Sequence, residues 1–457
     1  MAICLHTRTA YARVASISAK LLISLSLVAL FSLPLAAELR VATFRADATT
    51  APGEPLIWLT PTAKVEDPLW IKGVIIADGS RRYVICSLDW CGIGSSIHDL
   101  FRAKIAHAVR TNPAFVAVQS VHQHAAPYVD GDANTMLRRL GRPPGLMSEK
   151  FLQDLTDRIA AAAEEAVKRL QPFDSVGVSA VNVERVASAR RIIGEDGKVI
   201  VRYSGSGKDP KMAALPEGAI DPKLRTITLA KGGKPLVRLH FYATHPQTFC
   251  CDGRASADFV SAAREAVEKE TGVFQIYFTG CSGDVTVGKY NDGSDAARAG
   301  LAARLKSALA AAPAATRFAP AGKAGWRSAD LLLEPKPVGE AQALLNDPAI
   351  KDGVKLYRAA QMAAFAARKR PLVVNSLDLG PAAILMLPGE PMLEFQRFAV
   401  GLASGKFLAV AGYGDLQPGY LCTDRAFIEG GYEPSASNSA SGSEARIKTA
   451  IRQVLGK

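Results

Sequence analysis

The chain has 457 residues, of which 48% are hydrophobic and 21% charged, and its formal net charge is +12. That mix excludes collagen-like, coiled-coil and wholly disordered chains. The length allows two domains or one large one, and either buries a core that needs no disulfide scaffold.

Residues 1–20 carry Arg8, Arg13 and Lys20 and no acid, and an apolar run of 13 residues follows over 21–33. A bilayer span needs ~20 residues. A basic segment, a short apolar segment and Pro34-Leu35-Ala36-Ala37 together predict a secretory signal peptide over 1–37, cleaved near Ala37. The protein is therefore expected to be exported, periplasmic or secreted. No Lys/Arg run stands out and aromatics do not interleave with basic residues, so nucleic acid is not expected as a partner. A positive surface favours anionic surfaces or substrates. Cys86, Cys91, Cys250, Cys251, Cys281 and Cys422 remain after the signal. Export permits disulfides, but spacing leaves the pairing open and suggests no structural zinc site.

From Tyr83 onward apolar strands alternate with helices. A strand over 83–89 precedes an amphipathic helix over 96–111 and a strand over 114–120 that runs to His122. Ser148 is a candidate N-cap for a helix over 148–170. Strands follow over 176–183 and 224–229, with the Gly/Pro/Lys-rich segment 195–222 between them reading as a surface loop. The apolar stretch 236–243 ends at His245. A helix over 258–271, a strand over 274–278 and the turn Gly280-Cys281-Ser282-Gly283-Asp284 come next. An Ala-rich helix spans 296–312, a weak linker candidate spans 311–325, and 337–370 is mostly helical. Strands over 372–379 and 382–387 lead into Pro388-Gly389-Glu390, and 432–443 reads as loop. This alternation predicts an α/β (or α+β) fold: a mixed, partly parallel sheet core flanked by helices, with working residues at strand ends. No sequence repeat of ~20–50 residues is present, so 38–457 reads as one domain.

The strand ends carry the chemistry. In an extended segment His122 and His124 point the same way, so both imidazoles can face one site. His245 precedes Pro246, which favours extended backbone. Glu390 sits on a tight turn. Each has a bland reading: a capped loop, a structural histidine, a solvated carboxylate. His240, inside an apolar strand, reads as a packed core residue, and His98 and His107 as helix-face residues. Two histidines and one carboxylate with an open position form the pattern of a hydrolytic Zn²⁺ site. The chain has no GxSxG elbow, no Walker A sequence and no GxGxxG after a strand, which weakens serine-hydrolase, NTPase and dinucleotide readings.

Taken in order, Ser87-Leu88-Asp89, Val121-His122-Gln123-His124-Ala125-Ala126-Pro127, Tyr242-Ala243-Thr244-His245, Gly283-Asp284-Val285-Thr286, Pro388-Gly389-Glu390 and Tyr432-Glu433 resemble the motifs of the neutral/alkaline (non-lysosomal) ceramidase family. The resemblance is to its N-terminal catalytic domain and covers about 41–443; a C-terminal β-sandwich domain like the family's is not expected before Lys457. It implies an exported zinc-dependent amidohydrolase of lipid metabolism, acting on N-acylsphingosine or a related N-acyl substrate. It implies that His122, His245, Glu390 and Tyr432 bind Zn²⁺, that His124 handles protons, and that Thr286 and Tyr432 take part in catalysis. Arg190, Arg191 and Asp284 fall on the substrate side. A lipid-like amide leaves room for peripheral membrane contact, and the oligomeric state stays open. The sequence departs from the family where Ala125-Ala126 replaces Ser-Gly and where Thr286 replaces a serine. Hydrolysis of another amide or ester, or a non-catalytic binding protein on the same scaffold, are the alternatives.

Overall fold

Strand-forming residues in this chain alternate between two apolar environments, and that alternation builds its sheets. The computed structural model describes residues 38–142, 146–403 and 405–457; the expected signal peptide lies outside them. The first sheet contains β1 (Leu39–Asp47), β2 (Trp70–Asp78), β3 (Arg81–Leu88) and β4 (Val116–Ser120), in spatial order β4-β3-β2-β1, with Gln171–Pro172 at the far edge. In β2, Ile71 and Ile75 face a helical layer that includes Ile105, Leu155 and Ile159. Val74 and Ile76 face the other way, onto the second sheet. Both faces are covered, so β2 is buried along nearly its whole length.

The second sheet is β5 (Ser175–Asn182), β6 (Lys223–Lys231), β7 (Lys234–Tyr242) and β8 (Phe274–Thr279), in order β8-β7-β6-β5, extended by Arg317–Pro320. The third is β9 (Gly325–Leu331), β10 (Leu372–Asp378), β11 (Ala382–Met386) and β12 (Phe407–Ala411), in that order. One apolar cluster joins all three, through Ile76 and Ile85, Leu239 and Ile276, and Ile384 and Ala409.

Each sheet is antiparallel except for one parallel pair: β3 with β4, β7 with β8, and β11 with β12. A parallel pair needs a crossover, supplied here by helices Ser95–Val109, Asp258–Thr271 and Leu393–Leu402. The sequence shows no repeat, yet the structure contains three β-α-β units. Their carboxyl ends meet and are tied in a ring. Ser120 N donates to Tyr413 O (2.8 Å), Gly412 N donates to Thr279 O (2.9 Å), and Thr279 Oγ1 donates to Val121 O (2.6 Å).

The mixed α/β prediction holds, and Leu39–Lys457 clusters as one compact unit. Helix Asp258–Thr271 has the expected bounds, and Ser148 caps helix Glu149–Val167 by accepting from Phe151 N. Segment 195–222 differs from its reading as a loop. Val199–Val201 pairs with Arg191–Ile193 as a hairpin, and Pro210–Ala214 is helical. The linker candidate instead adds Arg317–Pro320 to the second sheet. Segment 337–370 holds two helices, Gly339–Asn346 and Gly353–Ala366, and 432–443 opens with a short helix, Tyr432–Ala436. Cys250 and Cys251 are bonded to each other, so they staple no distant segments; Cys86, Cys91, Cys281 and Cys422 are buried thiols.

Candidate metal centre

Each β-α-β unit contributes one side chain to a common point. His122 follows β4, His245 follows β7 and Glu390 follows β11. The partner strand of each pair supplies a support: Cys91 after β3, Ser282 after β8 and Tyr413 after β12. Carboxyl ends of strands gather ligands in this way throughout α/β folds.

His122 Nε2 lies 3.2 Å from Glu390 Oε2, and His245 Nε2 lies 3.3 Å from the same oxygen. One ligand atom from each residue falls within 4.8 Å of the others. His122 is 3% exposed and His245 0%. The far side of each ring is spoken for. His122 Nδ1 donates to Cys91 O at 2.7 Å, and His245 Nδ1 donates to Ser282 O at 2.6 Å. A proton on Nδ1 leaves a lone pair on Nε2. With both rings neutral, two lone pairs and a carboxylate oxygen face one another, an arrangement that repels itself unless a proton or a metal cation lies between. His122 Nε2 also has no hydrogen-bond partner. Burial resists charge on His122, but Cys91 and Glu390 outweigh it and set its pKa at about 10; burial and the Arg190 guanidinium bring His245 down to about 3. Burial opposes the Glu390 charge as well, yet the two imidazoles hold the carboxyl well below its usual range. These donors fit a divalent metal of the zinc type, which takes imidazole and carboxylate together.

Local backbone aims the ligands. His122 has φ +73°, so the His122–His124 segment is not the extended run its spacing suggests. His is among the residues that tolerate this left-handed region. Val121 N to Leu88 O (2.8 Å) and His122 N to Trp90 O (2.9 Å) hold the turn. The two rings still converge, edge to face at 5.0 Å. Gly389 has φ +65°, and a Cβ there would sit 2.8 Å from Gly419 O, so the Pro388-Gly389-Glu390 turn requires glycine.

His124 lies beside the centre, and neither of its ring nitrogens has a partner. Burial, then the two neighbouring histidines, pull its pKa well below 6.5, so it is neutral at pH 7. Tyr432 lines the same cavity. The Tyr420 hydroxyl lies 3.4 Å from His245 Nε2 and accepts from Arg190 Nη1 at 2.7 Å, and the Tyr413 hydroxyl lies 3.4 Å from His245 Nδ1. Tyr432 packs edge to face against Tyr420, ring centroids 5.7 Å apart. Tyr413 stacks on His122 at 4.4 Å and its hydroxyl meets Ser282 Oγ at 2.7 Å. Tyr413 and Tyr420 were not singled out in the sequence. Each lies within three residues of Gly412, Gly414 or Gly419, and no strand pattern marks that loop.

The remaining predicted residues separate. Arg190 is buried behind the cavity tyrosines, donating to Tyr420 and packing over the Tyr432 ring at 5.6 Å. Arg191 points away and binds Glu433 Oε2 (2.9 Å) and Glu429 Oε2 (3.0 Å). Asp284 accepts from Leu393 N at 2.7 Å, capping helix Leu393–Leu402. Thr286 Oγ1 is held by Ser204 Oγ at 3.0 Å. His240 is the packed core residue expected, bonded to Thr226 Oγ1 and Gln275 Oε1. Asp89, at the end of β3, is taken by Arg264.

No family model and no curated protein matches this chain in sequence. In structure it is similar to neutral ceramidase from Pseudomonas aeruginosa, with a TM-score of 0.68 at 15% identity, covering 92% of this chain and 74% of that one. It is similar to a ceramidase complexed with C2 to the same degree, covering 92% of this chain and 75% of that one. The chain therefore has a ceramidase-like fold. Its groups that can hold a metal lie where the three β-α-β units of that fold converge. Among the described residues, no helix is long and apolar enough to cross a membrane.

Proposed function

We propose that the protein is an exported zinc-dependent amidohydrolase that cleaves the N-acyl bond of a ceramide or a related N-acyl amine. The observation that carries this reading is the convergence of His122 Nε2, His245 Nε2 and Glu390 Oε2, with both Nδ1 atoms already committed to backbone carbonyls. Those three residues would hold Zn²⁺ with the Tyr420 phenol beside them, and bound zinc would polarise the scissile carbonyl and lower the pKa of a water to ~7.

The chain's own groups supply the rest. His124, neutral and unpartnered, takes a proton from the attacking water at a ring nitrogen and returns it to the leaving nitrogen. Tyr432 and Tyr420, backed by the Arg190 guanidinium, present hydroxyls to the charge that develops on the carbonyl oxygen. Buried donors aimed at that charge are worth more than the same donors in water. Thr286 and Asp284 we assign to holding the Gly283–Thr286 turn beneath His245, and Arg191 to anchoring Glu433 behind the tyrosines.

The test is metal analysis of protein purified without added zinc, together with hydrolysis of short- and long-chain N-acylsphingosines. The expected result is about one zinc per chain and activity that chelation removes and zinc restores. A zinc-loaded protein that cleaves no N-acyl amine or ester would instead be a binding protein on this scaffold.

A further inference from the structure

The helix Gly353–Ala366 forms one wall of the cavity that holds His122, His124 and Glu390. Its contributions are Tyr357, Arg358 and Gln361, which share a helix face because 3.6 residues make a turn. Tyr357 is fixed, since its hydroxyl accepts from Asp130 N at 2.8 Å. The other two are not satisfied. Among the described residues, the one polar contact of the Arg358 guanidinium is Nη2 to Ala436 O at 3.4 Å, and no carboxylate lies within ion-pair distance. Other arginines around this site are paired: Arg191 with Glu429 and Glu433, Arg264 with Asp89, Arg368 with Asp415. Gln361 is 2% exposed and lines the cavity, and among the described residues no hydrogen bond holds its side-chain amide.

Arg358 is half-buried, and a guanidinium and an amide at a cavity wall with few protein partners keep donors open to a ligand. The two groups lie one turn apart, where a small planar anion could satisfy both: a guanidinium fork for its oxygens and an amide N–H beside it. Charge points the same way. Glu390 is the one carboxylate lining this cavity among the described residues, whereas Arg358 lines it as a cation. A divalent metal would add two more positive charges. A neutral N-acyl amine leaves that excess uncompensated. Ile57 and Trp58, on another wall, offer apolar surface to an acyl chain.

We propose that Arg358 and Gln361 form a carboxylate-recognition subsite and that the substrate is an N-acyl amino acid, whose acidic group lies a few bonds from the scissile amide. This rests on the amidohydrolase reading above and narrows its substrate.

The test compares zinc-loaded protein on N-lauroylglycine, N-lauroylethanolamine and N-lauroyltaurine, with calorimetric binding of N-lauroylglycine measured alongside. The expected kcat/KM is at least ~10-fold higher for the glycine conjugate than for the neutral one, as a charge-assisted bidentate contact provides. Arg358→Gln should cut that ratio at least ~10-fold, mainly through KM, and weaken binding of N-lauroylglycine by a similar factor. Arg358→Lys should recover part of it, and Gln361→Leu should cause a smaller drop. Zinc content and circular dichroism report whether each variant is folded. Equal rates on charged and neutral substrates, or a ratio and affinity that Arg358→Gln leaves in place, would overturn the subsite. A preference for the taurine conjugate would overturn the assignment to carboxylate. Failure to cleave any N-acyl compound would overturn the hydrolase reading, and the binding measurement would still decide the role of Arg358.

Discussion

Two buried polar clusters stand at strand ends in this protein, and they differ in one respect. At the end of β3, Asp89 receives Arg264 Nη1 at 2.9 Å and Nη2 at 2.8 Å, and Trp70 N donates to it at 3.0 Å. Arginine and carboxylate match donor for acceptor, and nothing is left over. At the ends of β4, β7 and β11, His122, His245 and Glu390 turn two ring nitrogens and a carboxylate oxygen toward one point, with the His124 nitrogens unpartnered beside them. The first cluster is complete as protein and ties helix Asp258–Thr271 to the first sheet. The second leaves ring nitrogens unpartnered around a point where a cation fits. An ionisable residue at a strand end is thus a weak sign of function until its partners are known.

Substitutions can break this contrast. His122→Ala should remove zinc and lower activity by at least ~10³-fold, because the metal's charge stabilisation is worth several kcal/mol; metal analysis and a rate assay check both. Asp89→Ala should strand Arg264 and cost ~3–5 kcal/mol of stability, read by denaturant unfolding, while the folded fraction keeps its zinc. His124→Ala should retain zinc and lose ~10²–10⁴-fold in rate, as loss of a general acid–base group does. Zinc loss in that variant would make His124 a ligand. Tyr432→Phe should also keep zinc and lose ~10²-fold; if zinc left with the hydroxyl, Tyr432 and not Tyr420 would be the phenol on the metal. The smallest effect concerns protons. His122 sits at about 10 without metal, so at pH 7 it carries a proton that zinc must displace. Zinc uptake should release about one proton, and affinity should rise ~10-fold per pH unit from 7 toward 10, measured by calorimetry in buffers of different ionisation enthalpy.

The convergence of His122, His245 and Glu390 was legible because His245 and Glu390 each end a long apolar strand and His122 follows another; burial fixes those strands, and the strands fix the residues. The way His122 and His124 meet was not, because a left-handed turn rather than a strand's alternation brings them together. The ring of bonds joining the three β-α-β units runs between segments more than 100 residues apart, which no local pattern encodes. Strands β1 and β2 were not read from the sequence, since both precede Tyr83, from which the alternation is traced. Arg358 and Gln361 lie in the stretch 337–370, which the sequence marks only as mostly helical; spacing gives a helix face but not what covers it. Tyr420 depends on a loop folding back over Gly389. Residues set by burial could be read from the chain, and those set by tertiary closure could not.

The most direct test is anomalous scattering at the zinc edge from crystals of protein purified without added zinc. The account predicts one strong peak about 2.0–2.2 Å from His122 Nε2, His245 Nε2 and a Glu390 carboxylate oxygen. A zinc-free centre, or a peak held by other residues such as Cys91, would contradict it.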